Sequence, residues 1–157
     1  MEIVVDDLSG PRIAAFLAGH VEQLRAISPP GSSHALDLDG LRKPGVTFYT
    51  ALDGPDLLGC GALKALDAEH GEIKSMRTAP EHLGRGVASA LLGHIIIEAG
   101  RAGLTRLSLE TGSFEFFAPA RALYTKFGFE SCGPFGAYRE DPHSVFMTRI
   151  LRPGAVG

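Results

Sequence analysis

Hydrophobic residues recur at two different spacings along the chain, and these spacings predict its strands and helices. Short alternating or β-branched runs predict seven strands: Glu2–Asp6, Val46–Leu52, Leu57–Leu66, Glu72–Thr78, Thr105–Thr111, Phe129–Cys132 and Ser144–Arg149. Apolar residues three or four positions apart predict the helices: Arg12–Ala26, Val87–Ala102, Glu115–Phe127 and a short one at Leu36–Leu41. Helices alternate with strands in the second half of the chain, so the pattern predicts an α/β (α+β) fold.

The connections between these elements predict how the strands pair. Asp53-Gly54-Pro55-Asp56 is a typical turn sequence, so the second and third strands should form an antiparallel hairpin. The helix at Val87–Ala102 connects the fourth and fifth strands, and a right-handed crossover would make them parallel. We expect residues 1–157 to form one domain with a mixed, mostly antiparallel twisted sheet around a central parallel βαβ unit.

Strict alternation along the fourth strand assigns its side chains to two faces of the sheet. Glu72, Lys74 and Met76 should lie on one face. Ile73, Ser75 and Arg77 should lie on the other.

Composition and charge narrow the classes of function. The 157 residues are 45% hydrophobic and carry a net charge of −3, which does not suggest a nucleic-acid surface. No apolar run approaches the roughly 18 to 20 residues of a membrane span, and the first residues do not resemble a signal peptide, so we expect a cytoplasmic protein. Cys60 and Cys132 stand alone in the sequence, and we expect neither a disulfide nor a metal site.

A glycine loop between the fourth strand and the next helix is the first candidate for chemistry. Leu83-Gly84-Arg85-Gly86 precedes the helix, whose unpaired N–H groups and partial positive charge favour a phosphate group. Many loops contain two glycines, so this signal alone is weak. Ser89 replaces the third glycine of a dinucleotide fingerprint and no Walker lysine is present, so a Rossmann site and a P-loop are disfavoured.

Two longer motifs make the pattern specific. Met76-x-Thr78-x-Pro80-Glu81-His82-Leu83-Gly84-Arg85-Gly86-Val87-Ala88 and Ala120-x-x-Leu123-Tyr124-x-Lys126-Phe127-Gly128-Phe129, together with the order of elements, resemble the GNAT superfamily of acetyl-CoA-dependent N-acetyltransferases. The segments Gly71–Thr78 and Asp141–Thr148 are more closely similar to small bacterial YsnE-type acetyltransferases. The resemblance implies a GNAT-like sheet of about seven strands flanked by about four helices.

The resemblance also implies where acetyl-CoA binds. Backbone groups of Met76 and Thr78 would contact the pantetheine and thioester in a splay between the fourth and fifth strands. The pyrophosphate would lie against the glycine loop and the start of the helix, formed by Leu83, Gly84, Arg85, Gly86, Val87, Ala88 and Ser89. Phe117, Ala120 and Tyr124 would also contribute to the cofactor site, but Phe117 would not make the usual side-chain contact to the pantetheine arm. Leu83 stands where the superfamily usually has Gln or Arg, and Phe117 where it often has Asn.

The resemblance and the chemistry of acetyl transfer together suggest catalytic residues. Tyr124 is the candidate general acid for the departing thiolate, since a phenol is protonated at neutral pH. Glu72 is the leading candidate for the base, acting through water, Glu110 is its rival, and His34 could also serve because histidine titrates near neutral pH. The alternatives are a tyrosine that only packs on the sheet and carboxylates that are solvated or salt-bridged.

The acceptor is the least determined part of the site. We expect its pocket to include His34, Lys74, Arg77, Phe116, Arg121 and Tyr138. The cations among them suggest a small primary amine that also carries a carboxylate, such as an amino acid, unless they are surface salt-bridge partners. Acetylation of protein lysines or N-termini, and a silent acyl-CoA-binding regulatory module, remain alternatives. We expect no nucleic-acid or membrane partner and leave a homodimer open.

Overall fold

The computed structural model describes residues 1–27 and 38–151. These ranges contain seven strands: β1 (Glu2–Val5), β2 (Val46–Asp53), β3 (Asp56–Ala65), β4 (His70–Thr78), β5 (Arg106–Gly112), β6 (Glu130–Cys132) and β7 (Ser144–Ile150). They also contain four α-helices: α1 (Pro11–Ile27), the single-turn α2 (Leu38–Leu41), α3 (Val87–Arg101) and α4 (Ala118–Lys126). Two 3-10 turns occupy Pro80–His82 and Glu115–Phe117.

All seven strands form one sheet, in the order β1-β2-β3-β4-β5-β7-β6. Neighbouring strands are antiparallel except β4 and β5, which are parallel. The β2–β3 hairpin and the parallel β4-α3-β5 unit are confirmed. The mixed α/β architecture predicted from the sequence is therefore confirmed.

Each face of the sheet has its own hydrophobic core. Helix α3 buries Leu91, Leu92 and Ile95 on one face. On the other face, Ile13 and Leu17 of α1 pack with Phe48 of β2. The candidate site lies at the carboxyl ends of β4 and β5, in the sheet between these two cores.

A β-bulge in β4 makes the predicted face assignment wrong. Ala62 of β3 stands opposite Lys74 of β4. Cys60 lies two residues before Ala62, but its partner Arg77 lies three residues after Lys74. The extra residue on β4 reverses the alternation beyond Ser75, which has a φ of 59°. Met76 therefore packs with Ile73 in the α3 core, whereas Lys74 and Arg77 share the face of Cys60.

The helix predicted at Glu115–Phe127 begins later than expected. Residues Glu115–Phe117 form a 3-10 turn, in which the Phe117 N–H donates to the Phe114 carbonyl oxygen at 2.9 Å. The α-helix then starts at Ala118, with Pro119 in its first turn, where a missing N–H costs nothing. Of the helix predicted at Leu36–Leu41, residues 36 and 37 lie outside the described residues, and the rest is α2.

None of the helices in the two described ranges combines the length and hydropathy that crossing a bilayer demands.

Candidate active site

The parallel pair β4 and β5 separates into a fork at its carboxyl end. The two strands pair only from His70–Ile73 with Arg106–Leu109, although β4 continues to Thr78 and β5 to Gly112. The bulge at Ser75 lies just past the last pair, where it turns β4 away from its neighbour. Met76 and Thr78 lie on the β4 side of this fork, beyond the last residue of β4 that pairs with β5.

The glycine loop leads from β4 into α3 and leaves the start of that helix uncapped. Gly84 and Gly86 both have a φ of 78°, a left-handed conformation that favours glycine. Gly86 is the residue before the first helical turn, and no side chain caps that turn. The N–H groups of Val87, Ala88 and Ser89 have no intrahelical acceptor by the geometry of a helix start.

Two side chains of the loop differ in what they offer to an anion. Leu83 is 67% exposed and has no polar group. The Arg85 guanidinium donates a hydrogen bond from Nη1 to His82 Nδ1 at 2.6 Å. The positive charge of the loop is thus carried by Arg85, together with the partial charge of the α3 N-terminus.

These residues fit a long cosubstrate that carries phosphates. A Cβ built on Gly84 or Gly86 would meet no atom within 4 Å, so the space above the loop is open. At the fork, the buried Oγ of Ser75 finds no hydrogen-bond partner among the described residues. The start of α3 is open to an anionic group, and the fork contains an unsatisfied polar atom. Both features are compatible with a bound acetyl-CoA.

Glu72 and Glu110 lie on the same face of the forked strands. Glu72 stands opposite Ser108 in the parallel ladder, and Glu110 follows two residues later on β5. Glu72 is only 3% exposed. Its Oε2 accepts a hydrogen bond from the Tyr138 hydroxyl at 2.6 Å and lies 3.9 Å from Lys74 Nζ. Buried carboxylates of this kind need such partners.

The surroundings of Glu110 change its proton affinity. Burial raises the pKa of Glu110 to about 7, and the negative charges of Glu72 and Asp141 add to this effect. A hydrogen bond with Ser144 and the charge of Lys74 act in the opposite direction. A carboxyl group with a pKa of about 7 exchanges protons near neutral pH, which suits a general base or acid.

Tyr124 lies in α4, buried in the α3 core. It is 6% exposed, and its ring meets Phe129 edge-on, with 5.9 Å between ring centroids. Burial raises the pKa of Tyr124 above the usual range of a phenol, and the charge of Glu110 raises it further. The phenol therefore keeps its proton at neutral pH, close enough to Glu110 for that charge to affect it.

The turn before α4 is held by the arginine that the sequence suggested as a substrate ligand. Arg121 Nη1 donates to the carbonyl oxygens of Gly112 at 2.7 Å and Phe114 at 2.9 Å. The Phe117 ring lies against Gly112, so closely that a Cβ there would overlap it. Phe116, 44% exposed, meets that ring edge-on. Ala120 packs against the α3 core.

The remaining predicted acceptor residues are divided among different places. Lys74 and Tyr138 join the Glu72–Glu110 cluster. Arg77 lies beside Cys60, where burial lowers its pKa and the charge of Glu81 opposes the effect. His34 lies outside the described residues.

The prediction missed two residues of the cluster, Asp141 and Ser144. The motif Asp141-Pro142-x-Ser144 was visible in the sequence as part of the resemblance, but nothing in its spacing connects it to Glu110. The connection depends on β7, which pairs with β5 so that Ser144 stands opposite Gly112.

Known proteins resemble this chain in sequence and in fold. Residues 13–129 match the model of the acetyltransferase (GNAT) family. The uncharacterized N-acetyltransferase YsnE of Bacillus subtilis is 54% identical over 151 residues, covering 96% of this chain and 100% of YsnE. A Klebsiella pneumoniae structure described as an acyl-CoA N-acyltransferase superposes with a TM-score of 0.78 at 25% identity, over 96% of this chain and 97% of that one.

A further structure shares the fold and holds the expected cosubstrate. It is a GNAT acetyltransferase of Elizabethkingia anophelis with acetyl-CoA bound, with a TM-score of 0.67 at 20% identity, covering 96% of this chain and 97% of that one. The prediction of acetyl-CoA as cosubstrate agrees with the family match. The match covers strands β2 to β5, the glycine loop and α4, and the chain therefore belongs to the GNAT family of acetyltransferases.

Proposed function

We propose that this protein transfers the acetyl group of acetyl-CoA to the primary amine of a small molecule. The observation that carries this proposal is the electrostatic interaction between two ionisable groups, Glu110 at the β4–β5 fork and Tyr124 on α4. Glu110 has a pKa raised to about 7, and Tyr124 is a buried phenol that remains protonated. Acetyl transfer to an amine needs one group that accepts a proton and one that donates a proton.

Glu110 serves as the base in this mechanism. An amine in water is an ammonium ion, and it must lose one proton before its nitrogen can attack the thioester carbonyl. Ionised Glu110 accepts that proton, directly or through water. Glu72 is less suited to this step because its Oε2 already accepts the Tyr138 hydroxyl and its side chain is almost fully buried. This choice reverses the order of the two carboxylates expected from the sequence.

Tyr124 serves as the acid. The neutral amine forms a C–N bond with the carbonyl carbon, and the C–S bond of the thioester then breaks. Tyr124 gives its proton to the departing thiolate, and the second proton of the attacking nitrogen restores the phenol, so protons and electrons balance. Acetyl-CoA supplies the activated acyl group, and the Gly84–Ser89 segment would hold its pyrophosphate by backbone N–H groups and Arg85.

Lys74 supports an acceptor that also carries a carboxylate, such as an amino acid. Its side chain is 32% exposed and lies beside Glu72, and its charge also acts on the proposed base, so Lys74 reaches both the cluster and the solvent. A carboxylate next to the reacting amine would pair with this cation. We further propose that residues 1–157 form a single domain; the cytoplasmic location and the homodimer stay predictions.

A thiol-release assay with a panel of acceptors tests the proposed function. The panel contains amino acids, the matching amines without the carboxylate, and peptides with a free N-terminus or lysine, each with acetyl-CoA. We expect turnover with amino acids, and mass spectrometry should find one added acetyl group. Equal rates on the decarboxylated amines would show that the enzyme does not recognise a carboxylate on the acceptor. Turnover of peptides alone would indicate a protein acetyltransferase, and acetyl-CoA binding without any turnover would indicate a silent module.

A further inference from the structure

We propose that Tyr138 is a positioning residue that holds the Glu72 carboxylate in place beside Glu110, the group that exchanges the proton. This inference rests on the proposed role of Glu110 as the base. It gives Tyr138, expected from the sequence to line the acceptor pocket, a role that acts through Glu72.

Tyr138 lies in the segment between β6 and β7, and its ring is fixed by two aromatic neighbours. It lies edge-on to Phe135, with 5.1 Å between ring centroids, and tilted against Phe146, with 5.5 Å. Phe146 of β7 stands directly opposite Glu110 of β5. The loop therefore holds the phenol above the strand that carries Glu110, with its hydroxyl on Glu72 Oε2 at 2.6 Å.

The direction of this hydrogen bond is determined by the protonation of the phenol. Burial raises the pKa of Tyr138, and the hydrogen bond and charge of Glu72, with a smaller effect of Glu110, raise it further. The hydroxyl thus keeps its proton and donates a hydrogen bond to the Glu72 carboxylate. A donor directed at a carboxylate oxygen stabilises the ionised form of that group.

The charge of Glu72 in turn acts on Glu110. Two adjacent carboxyl groups resist being ionised together, and the charge of Glu72 is the second cause, after burial, of the raised pKa of Glu110. The groups that affect Glu110 come from three elements: Glu72 and Lys74 on β4, Asp141 in the β6–β7 loop, and Ser144 on β7. The charge of Glu110 acts in turn on Tyr124 of α4 and on Tyr138, and it raises the pKa of both.

Without the Tyr138 hydroxyl, the Glu72 carboxylate would no longer be held beside Glu110. The repulsion between the two charges would weaken, and Glu110 would be ionised in a larger fraction of molecules below neutral pH. A change of this kind alters the shape of the pH dependence. Simple loss of packing would instead lower the rate by a similar factor at every pH.

Tyr138→Phe tests the inference, because it removes the hydroxyl and keeps the ring. In kcat/KM for the amine, we expect the acidic limb to move to lower pH. Glu72→Gln should move the limb to lower pH by about one pH unit, since it removes a like charge. In that background, adding Tyr138→Phe should leave the limb where it is. Ala137→Ser, a change at an exposed position of the same loop, should not move it.

Two outcomes would overturn the inference. One is a Tyr138→Phe variant whose rate falls by the same factor at every pH. The other is a Tyr138→Phe effect of the same size with and without Glu72→Gln.

Carbon-13 NMR of the glutamate carboxyl groups gives a readout that needs no turnover. The Glu110 signal is identified by its loss in Glu110→Gln. In Tyr138→Phe, its titration midpoint should fall. An unchanged Glu110 titration would overturn the role of Tyr138 even if the enzyme is active. If no amine is acetylated, the proposed function fails, and the titration still decides the role of Tyr138.

Discussion

The Cys60 thiol donates a hydrogen bond to the carbonyl oxygen of Ser75, with 3.2 Å between sulfur and oxygen. This contact joins β3 to the bulge of β4, at the residue whose φ is 59°. The bulge separates β4 from β5 and places Met76 on the same face as Ile73. The shape of the cosubstrate cleft therefore depends on one residue that holds an unfavourable backbone conformation.

Substitution at Ser75 should reveal this strain. Glycine adopts a positive φ without steric cost, so Ser75→Gly should keep or slightly raise the free energy of unfolding. Ser75→Val should lower it by about 1–3 kcal/mol, because a β-branched residue is disfavoured there. Urea unfolding of the two variants measures the difference. A Ser75→Val variant as stable as the wild type would contradict the strained bulge.

Gly86→Glu should weaken acetyl-CoA binding more than it weakens the fold. The added carboxylate would stand at the uncapped start of α3, where it competes with and repels a pyrophosphate. Gly54→Glu is the matched control, since Gly54 is exposed in the β2–β3 turn and also has a positive φ, 57°. We expect calorimetry to show acetyl-CoA affinity reduced at least about tenfold in Gly86→Glu alone, a difference of about 1.4 kcal/mol. Equal affinities in the two variants would place the pyrophosphate elsewhere.

Tyr124→Phe should lower kcat and leave acetyl-CoA affinity almost unchanged. The ring contact with Phe129 is retained, and only the proton donor is lost. General acid catalysis contributes about 100-fold or more, so a loss of that size is expected. Tyr49→Phe removes another buried hydroxyl of the same core and should keep kcat. Full activity of Tyr124→Phe at neutral pH would show that another group protonates the thiolate.

Glu110 should make the folded protein less stable as the pH rises. Its pKa is raised from 4.5 to about 7, so between these values the folded state binds more protons than the unfolded state. Stability is then lost as the pH rises through this range, by at most about 3 kcal/mol. Glu110→Gln should be more stable than the wild type by about 1–3 kcal/mol at about pH 8, and similar to it at about pH 4.5.

Urea unfolding at the two pH values measures the effect, with Glu115→Gln as the control for an exposed glutamate. If Glu110→Gln and Glu115→Gln show the same pH dependence as the wild type, Glu110 titrates normally.

Most of the fold follows from local patterns in the sequence. The hairpin at Gly54, the parallel crossover through α3 and all seven strands were predictable, because alternation, turn residues and helical spacing act over short distances. The bulge at Ser75 was not, since serine carries no signal for a positive φ. Its conformation is imposed by the pairing of β4 with β3, and the faces of Met76 and Arg77 were assigned wrongly as a result.

The candidate cosubstrate residues lie in continuous sequence motifs, whereas the candidate acceptor residues are scattered along the chain. The glycine loop and Tyr124 belong to such motifs, the structure places the loop between β4 and the uncapped start of α3, and their roles stay predictions. Arg121 illustrates the limit, because its cation turns back to the carbonyl oxygens of Gly112 and Phe114. Asp141 reaches Glu110 only through the pairing of β7 with β5, a relationship between distant parts of the chain.

The pH dependence of kcat/KM for the amine, at saturating acetyl-CoA, tests the central role of Glu110 most directly. For the wild type, we expect a rise with a midpoint of about 7, as Glu110 loses its proton. Glu110→Gln should lose this limb and fall about 100-fold in kcat/KM, whereas Glu115→Gln should keep both. A Glu110→Gln variant that retains the limb and the rate would contradict the account, since the proton would then be taken by another group.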